Sequence, residues 1–365
     1  MDGKPNVLVL GATGFIGRNL VKYLVENDLA AVTSVDKVLP SLSYLSPQEE
    51  ALFEKANFMQ KNLVSPVSIA SIWSDTGIKF DYVINCAAET KYGHNDEVYK
   101  ERVHHLSVSC AQEAAKQGVK RFIEVSTAQV YEPSNKAKDE SGKVDPWTNL
   151  AKWKLQCEED LKKIPGLSVV VVRPAIVYGP GDKTGIAPRI LCGAIYKHLD
   201  KKMKFLWSGD MKINTVHVHD VVKALFHLCT HGDDGATYNL ADKSGTDQEL
   251  VNKCLASMFG IKTDFFGSIK SNMAKALGMD AVTSQVNDKH VAPWSKMTKE
   301  KGIEVTPLSP YLDKELLGNN ALSVDGSAIE KTGFTYDVPE FSEAKLREWV
   351  DYYTQLKLFP EGYVQ

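Results

Sequence analysis

The sequence predicts an α/β protein, a doubly wound parallel sheet with a smaller C-terminal domain. Three observations carry this. Asn6 to Leu10 is a short apolar run, the pattern of a buried strand. It leads directly into the turn Gly11-Ala12-Thr13-Gly14, after which Phe15, Ile16, Leu20, Tyr23 and Leu24 recur on one helical face. Strand-sized apolar runs then alternate with helix-period segments as far as Leu240, and strands separated by helices imply parallel pairing.

The elements follow in order. Ala31 to Asp36 is the second strand, and Pro40 to Pro47 a polar loop bounded by prolines. Asn57 to Gln60 and Phe80 to Cys86 give the third and fourth strands, with a helix near Ser68 to Ser74 between them. A long helix runs from Glu97 to Gln117, followed by the fifth strand, Lys120 to Val125, and a charged loop, Glu132 to Val144. Asp145-Pro146 has the chemistry of a helix start, Asp as N-cap and Pro in the first turn, for a helix ending near Lys163. Leu167 to Arg173 is the sixth strand.

Beyond Asp182 the pattern loosens. A helix is expected from Pro188 to Leu199, a strand at Asn214 to Val218, and a helix from Asp220 to Cys229. Ala236 to Leu240 reads as a last strand of the main sheet and Gln248 to Phe259 as a helix. Asp264 to Leu316 is the least regular stretch, a lid, a substrate lobe or peripheral packing; the final helix spans about Ser342 to Gln355.

Composition excludes several classes. With net charge −3 over 365 residues and the signs interspersed, nothing marks a nucleic-acid or polybasic membrane surface. Six cysteines are scattered without a C-x-x-C pair, so they read as reduced core residues of a cytoplasmic protein, and no metal site is expected. The adjacent His104 and His105 point different ways on a helix and make poor joint ligands. The first strand lies too near Met1 for a signal peptide, and no apolar run is long enough to span a bilayer.

The glycine turn carries the chemistry. Gly11 permits the tight turn, Gly14 lets backbone approach a pyrophosphate, and Gly17 lets helix and strand pack closely. Free N–H groups and the dipole at the helix start favour the phosphates. The spacing is G-x-x-G-x-x-G in a strand–turn–helix context, a Rossmann-type nucleotide site. Asp36 lies about 20 residues beyond Gly17, where a carboxylate hydrogen-bonds the adenosine ribose and repels a 2′-phosphate, favouring NAD over NADP. A solvated turn aspartate is the other reading of Asp36, and Lys37 beside it softens the discrimination. Residues 1–175, with 219–241 returning to them, are the expected dinucleotide domain; 176–218 and 242–365 are the expected substrate domain.

These motifs, with Ala87-Ala88, Ser126-Thr127 before Val130-Tyr131, Arg173-Pro174 before Tyr178-Gly179-Pro180, and Val216-His217-Val218-His219-Asp220, resemble the extended short-chain dehydrogenase/reductase family of NAD-dependent epimerase/dehydratase type. The resemblance covers nearly the whole chain. It implies a cleft between the two domains and a possible homodimer through the Glu97 and Pro146 helices. It assigns Gly11, Thr13, Gly14, Phe15, Ile16, Gly17, Asp36, Asn62, Leu63, Ala87, Ala88 and Lys154 to the cofactor. Thr127 and Lys154 are assigned to catalysis, and Thr90, Tyr92, Ile176 and Tyr178 to a small-molecule substrate.

The departures concern catalysis. The family's catalytic pair is Y-x-x-x-K, both side chains on one helix face, so that the ammonium lowers the phenol pKa. Here Lys154 matches the lysine and Leu150 stands for the tyrosine, with no tyrosine between Tyr131 and Tyr178; Tyr353 and Lys357 are a chance match at the last helix. Leucine moves no proton, whereas general acid–base catalysis contributes about 10²–10⁴-fold. Tyr92, Glu89 and Tyr178 are each either an alternative acid facing the cleft or a packing or loop residue, and a desolvated Lys154 is another candidate acid. Where sugar-nucleotide members place an Asn and an Arg on the diphosphate, this chain has Ile176 and Ile213; where dehydratases have an acidic pair it has Ala128 and Gln129. Arg173-Pro174 and Ile176 look closer to the hydroxysteroid dehydrogenase and dihydroflavonol reductase branch. The expected activity is therefore an NAD-linked oxidoreductase or epimerase with an atypical site, acting on a hydroxyl or carbonyl of a small, apolar ring substrate. The alternative is a non-catalytic NAD-binding sensor or regulatory subunit.

Overall fold

The computed structural model describes residues 3–276 and 278–365. Eleven strands are formed in chain order: β1 (Asn6–Leu10), β2 (Ala31–Asp36), β3 (Phe58–Gln60), β4 (Tyr82–Asn85), β5 (Arg121–Val125), β6 (Val169–Pro174), β7 (Ile176–Tyr178), β8 (Met203–Phe205), β9 (Thr215–His217), β10 (Thr237–Leu240) and β11 (Thr263–Phe265). Seven of them form one parallel sheet in the order β10-β6-β5-β4-β1-β2-β3. β1 lies between β2 and β4, with Leu10 level with Val35 on one side and Asn85 on the other. Chain order reverses there, the switch point at which open α/β sheets place their ligands beyond the strands' carboxyl ends.

Strand periodicity explains the sandwich. Successive side chains of β1 alternate faces. Val7 and Val9 pack with Leu20, Leu24, Val221 and Leu225 on one side. Leu8 and Leu10 pack with Ile69, Ile72, Cys110 and Ala114 on the other. A third core, built from Ile190, Leu191, Met258, Phe259, Trp294 and Trp349 among others, belongs to the C-terminal part. The expected last strand of the main sheet is β10, at the edge beside β6. Part of the C-terminal stretch returns to the sheet, where Ile329, Phe334 and Tyr336 join the core of Val221 and Leu225.

Several expectations are corrected. The helix assigned to start at Asp145 starts one turn later, at Asn149–Leu161, with Thr148 Oγ1 accepting from the Ala151 N–H at 3.1 Å. Asp145 is spent on the preceding loop, where its N–H donates to the Val130 carbonyl at 2.9 Å. The segment Pro47–Lys55 is a helix that hydrophobic periodicity did not reveal; Ser46 and Glu49 form a reciprocal capping box. The stretch expected to be least regular contains the helices Gly267–Ala276 and Met279–Glu300. In the second, the buried positions Thr283, Asn287, His290, Trp294 and Met297 do keep a helical spacing. Three of them are polar, so an apolar stripe is not visible in the sequence. Among the described residues no helix is long and apolar enough to cross a membrane.

Candidate active site

The glycine turn has the geometry its spacing implies. Gly11 sits at φ +73°, and a Cβ there would lie 2.6 Å from the backbone of Ala87. A Cβ on Gly17 would lie 2.1 Å from the Gly11 carbonyl, so only glycine lets this helix dock on the turn. Gly14 is the N-cap of Phe15–Glu26, in extended conformation, and the helix start carries no side-chain cap and no acid in its first turn. Those free amides fit a phosphate. Arg18, buried beneath the turn, donates to the carbonyls of Thr13, Gly14 and Ser43, which pins the loop.

Asp36 ends β2 beside this turn. Its carboxylate accepts from the Thr13 N–H and the Val38 N–H, both at 3.0 Å, which fixes it beside the glycine turn. The neighbouring Lys37 side chain is exposed. Leu63 is buried in the core of Leu8 and Leu10, and exposed Asn62 accepts from the Val64 N–H; both lie outside the cavity described below. Ala87 backs onto Gly11, and Ala88 reaches the cavity.

A cavity of about 430 Å³ opens over the carboxyl ends of β1, β4, β5 and β6. Gly14, Phe15 and Ile16 wall it on the nucleotide side; Thr90, Tyr92, Thr127, Leu150, Lys154 and Ile176 also face it. Leu150 and Lys154 therefore share one helix face on the cavity, and Leu150 makes that part of the wall apolar. Leu150 packs against Tyr99 and Val103, with Tyr92 and Trp153 alongside.

Lys154 is bound from below. Its Nζ donates to Glu124 Oε1 at 2.9 Å and to the Val125 carbonyl at 2.6 Å. Glu124 is 0 % exposed on β5 and also accepts from Asn85 Nδ2 at 2.7 Å and Ser107 Oγ at 3.2 Å. Burial alone would lower the Lys154 ammonium, and the Glu124 carboxylate overrides it, holding lysine above its ordinary value. Lys154 is thus a fixed cation with one N–H left for the cavity, which corrects the reading of it as a desolvated proton donor.

The alternative acids separate cleanly. Tyr178 is a core residue, 1 % exposed, wedged against His217 and Phe341, and it does not line the cavity. Glu89 turns to Arg102, 3.7 Å away, and to His94. Tyr92 alone of the three is on the wall. Its hydroxyl accepts from Gln129 Nε2 at 2.9 Å and donates more weakly to Gln129 Oε1 at 3.3 Å, and that oxygen also accepts from Thr148 Oγ1 at 3.1 Å. Burial pushes the Tyr92 phenol up to about 12, so it stays protonated at neutral pH. Thr127 Oγ1 accepts from the Gln129 N–H at 3.2 Å and keeps its own proton for a ligand.

Sequence reasoning did not single out Glu124 or Trp147, and it gave Gln129 only a negative role. A glutamate inside an apolar strand, Arg-Phe-Ile-Glu-Val, was the available signal. Ser126 donates to Glu158, which clamps Arg173 from three distances of 2.6 to 3.1 Å; Arg173 Nη1 donates to Tyr131 Oη at 2.8 Å. The Arg173-Pro174 motif is therefore a buried brace beneath the site. Of the described residues, His219, Asp220 and Asp337 come close enough to suggest a metal. Asp220 is taken by the N–H groups of Asp337 and Val338, and Asp337 by Lys223.

Family comparison agrees with this geometry. The model of the NAD dependent epimerase/dehydratase family matches residues 7–241. The chain belongs to the NAD-dependent epimerase/dehydratase family. It is 29 % identical to the dTDP-D-glucose 4,6-dehydratase of Mus musculus over 261 residues, 67 % of this chain and 69 % of the relative. It is 28 % identical to the UDP-glucose 4-epimerase of Vibrio cholerae over 196 residues, 50 % of this chain and 55 % of that one. The fold is shared with UDP-glucuronic acid 4-epimerase of Bacillus cereus in complex with UDP-glucuronic acid and NAD. The TM-score is 0.67 at 17 % identity, covering 96 % of this chain and 99 % of the other. NAD, the cofactor read from Asp36, is the cofactor of this family.

Proposed function

We propose that this chain is an NAD-dependent oxidoreductase or epimerase acting on a hydroxyl or carbonyl of a small ring substrate, with Tyr92 on the proton side in place of the absent tyrosine. The observation that carries the reading is the shared cavity: the glycine turn, Thr127, Lys154 and Tyr92 all face one space. Residues 1–175 and 219–241 serve the cofactor in this reading, and 176–218 with 242–365 close over the substrate. The relatives' nucleotide sugars are the competing substrates, and apolar Ile176 and Ile213 on the cavity wall argue against a diphosphate there.

Bound NAD supplies the hydride acceptor or, reduced, the donor. Thr127 Oγ donates to the substrate oxygen and orients its carbon. Lys154, tied to Glu124 and Val125, offers its remaining N–H to the cofactor ribose and adds positive charge near the reacting oxygen. Tyr92, held protonated, gives its proton to an alkoxide as it forms. A phenol near 12 rests in its protonated form at neutral pH, the form that donates when a carbonyl is reduced.

The test is NADH-dependent reduction of ring ketones, with NAD-dependent oxidation of ring alcohols and conversion of nucleotide sugars screened beside it. Tyr92→Phe is expected to lower turnover by about 10²-fold with NADH affinity kept. Activity untouched by Tyr92→Phe removes Tyr92 from the mechanism. One observation favours a second reading, a non-catalytic NAD-binding subunit: Leu150 is packed into an apolar cluster where a phenol would stand. Wild-type protein that binds NADH but turns nothing over, together with turnover created by Leu150→Tyr, would establish that reading.

A further inference from the structure

The far wall of the cavity holds a charge that the protein itself does not answer. Arg189 lies on the helix Ala187–His198 and faces the cavity with Phe205, Gln248 and Ile213. Its guanidinium stacks 4.8 Å from the centre of the Phe205 ring. Nη2 donates to Gln248 Oε1 at 3.0 Å. Nη1 is fully buried and has no hydrogen-bond partner among the described residues.

Gln248 cannot neutralise this cation. Its Nε2 donates to the carbonyls of Leu206 and Ser208, both at 3.1 Å, which fixes the amide so that its oxygen is the atom presented to Arg189. Asp182 is the carboxylate on the same cavity, and it is already used. Its two oxygens accept the N–H groups of Thr184, Gly185, Ile186 and Ala187, at 2.7 to 3.0 Å. Among the described residues no acid is positioned to pair with Arg189, while exposed Lys289 adds positive charge to the same wall and Lys204 there is shared with Asp264, 3.9 Å away. A buried, stacked and half-bonded guanidinium is costly unless an anion completes it. A planar fork with one open edge suits one carboxylate or one phosphate group.

We propose that Arg189 is the receptor for a terminal carboxylate or phosphate on a small substrate whose apolar body lies along Ile176 and Ile213. The proposal rests on the reading of the cavity as a substrate site. It names the charge class of that substrate and makes Arg189 its specificity-determining residue. A single unpaired guanidinium edge calls for one compact anion.

The experiment uses full-length protein saturated with NADH, whose fluorescence is followed while benzoate, phenyl phosphate and the neutral benzamide are added. One of the two anions is expected to bind at least about tenfold more tightly than benzamide, the scale of a hydrogen bond to a charged group. Arg189→Gln is expected to remove that advantage and leave NADH affinity unchanged. Gln248→Glu keeps the stacked arginine, supplies an internal carboxylate, and is expected to displace the anion equally, so a folding defect in one variant does not decide the matter. A preference for benzoate identifies a carboxylate, and a preference for phenyl phosphate a phosphate. Equal binding of benzamide, anion binding unchanged in both variants, or no binding of either anion at millimolar concentration overturns the proposal. UDP binding that depends on Arg189, without binding of the small anions, overturns it in favour of a diphosphate. If NADH does not bind, the cofactor reading fails instead, and the same anion titrations followed by calorimetry on the protein alone still test Arg189.

Discussion

Lys154 Nζ and Glu124 Oε1 stand 2.9 Å apart with both side chains almost wholly buried, at 7 % and 0 % exposure. This pair, beneath the nucleotide cavity, fixes the one cation of the family's catalytic helix face. Removing one member of a buried pair strands the other, at a cost of about 3–5 kcal/mol. Glu124→Gln is therefore expected to lower stability on that scale, measured by urea unfolding, and to weaken NADH binding. The sign with pH follows from the raised lysine. The pair's contribution is complete below the ordinary lysine range and is lost only as pH rises through the folded value above it. An unfolding midpoint in Glu124→Gln equal to wild type at neutral pH would contradict this account.

The last two glycines of the turn should respond differently to alanine. At Gly17 the added methyl would sit 2.1 Å from a backbone oxygen, which cannot yield without moving the turn. Gly17→Ala is expected to destabilise by about 1–3 kcal/mol and to abolish NADH binding. At Gly14 the nearest atom would be the Gly11 carbonyl oxygen at 3.1 Å, a tight contact but one the extended backbone can relax, so Gly14→Ala is expected to lower the thermal midpoint much less than Gly17→Ala while losing NADH affinity. Calorimetry and NADH fluorescence on the two variants separate these outcomes.

Asp36 should set the cofactor preference. Its carboxylate is anchored by two backbone N–H groups beside the glycine turn. Asp36→Asn keeps one acceptor oxygen, gives up one of the two backbone hydrogen bonds and removes the charge that repels a 2′-phosphate. The ratio of NADH to NADPH affinity is expected to fall by about tenfold, the scale of one charge-assisted interaction. An unchanged ratio would return Asp36 to a turn residue.

Two histidines should resist protonation. Burial holds His217 and His290 down to about 4, and no carboxylate lies against either to reverse it among the interactions that shift them. Between about 4 and the ordinary histidine value near 6.5 the unfolded chain binds protons that the folded one refuses. Each histidine therefore makes stability fall as pH falls through that window. Asp182 and Asp242, held up to about 6 by burial, act in the opposite sense over the same window. A bulk stability profile would mix the two, so the check is histidine NMR, in which both rings are expected to stay neutral at pH 5.

Much of the site was legible because its chemistry is local. Gly11, Gly14 and Gly17 and the strand before them announce a phosphate turn through spacing alone, and Leu150 at the tyrosine position is visible four residues before Lys154. The helix Met279–Glu300 was not legible, because its buried face carries Thr283, Asn287 and His290. Tyr178 was misread for a related reason. A tyrosine after a strand looks the same whether it faces a cleft or, as here, lies against His217 and Phe341.

The sequence by itself determined the fold class and NAD as cofactor, and it pointed to the glycine turn and to Leu150 as the positions to test, since each reading depends on residue type at a short spacing. The tertiary structure decided which groups can act. It paired Lys154 with Glu124 across 30 residues, brought Tyr92 to Gln129 across 37, and left Arg189 facing the cavity, stacked on Phe205 and hydrogen-bonded to Gln248, 59 residues away. Those outcomes depend on how separate elements pack and on what burial does to charge. Neither is encoded in the local pattern of any one segment.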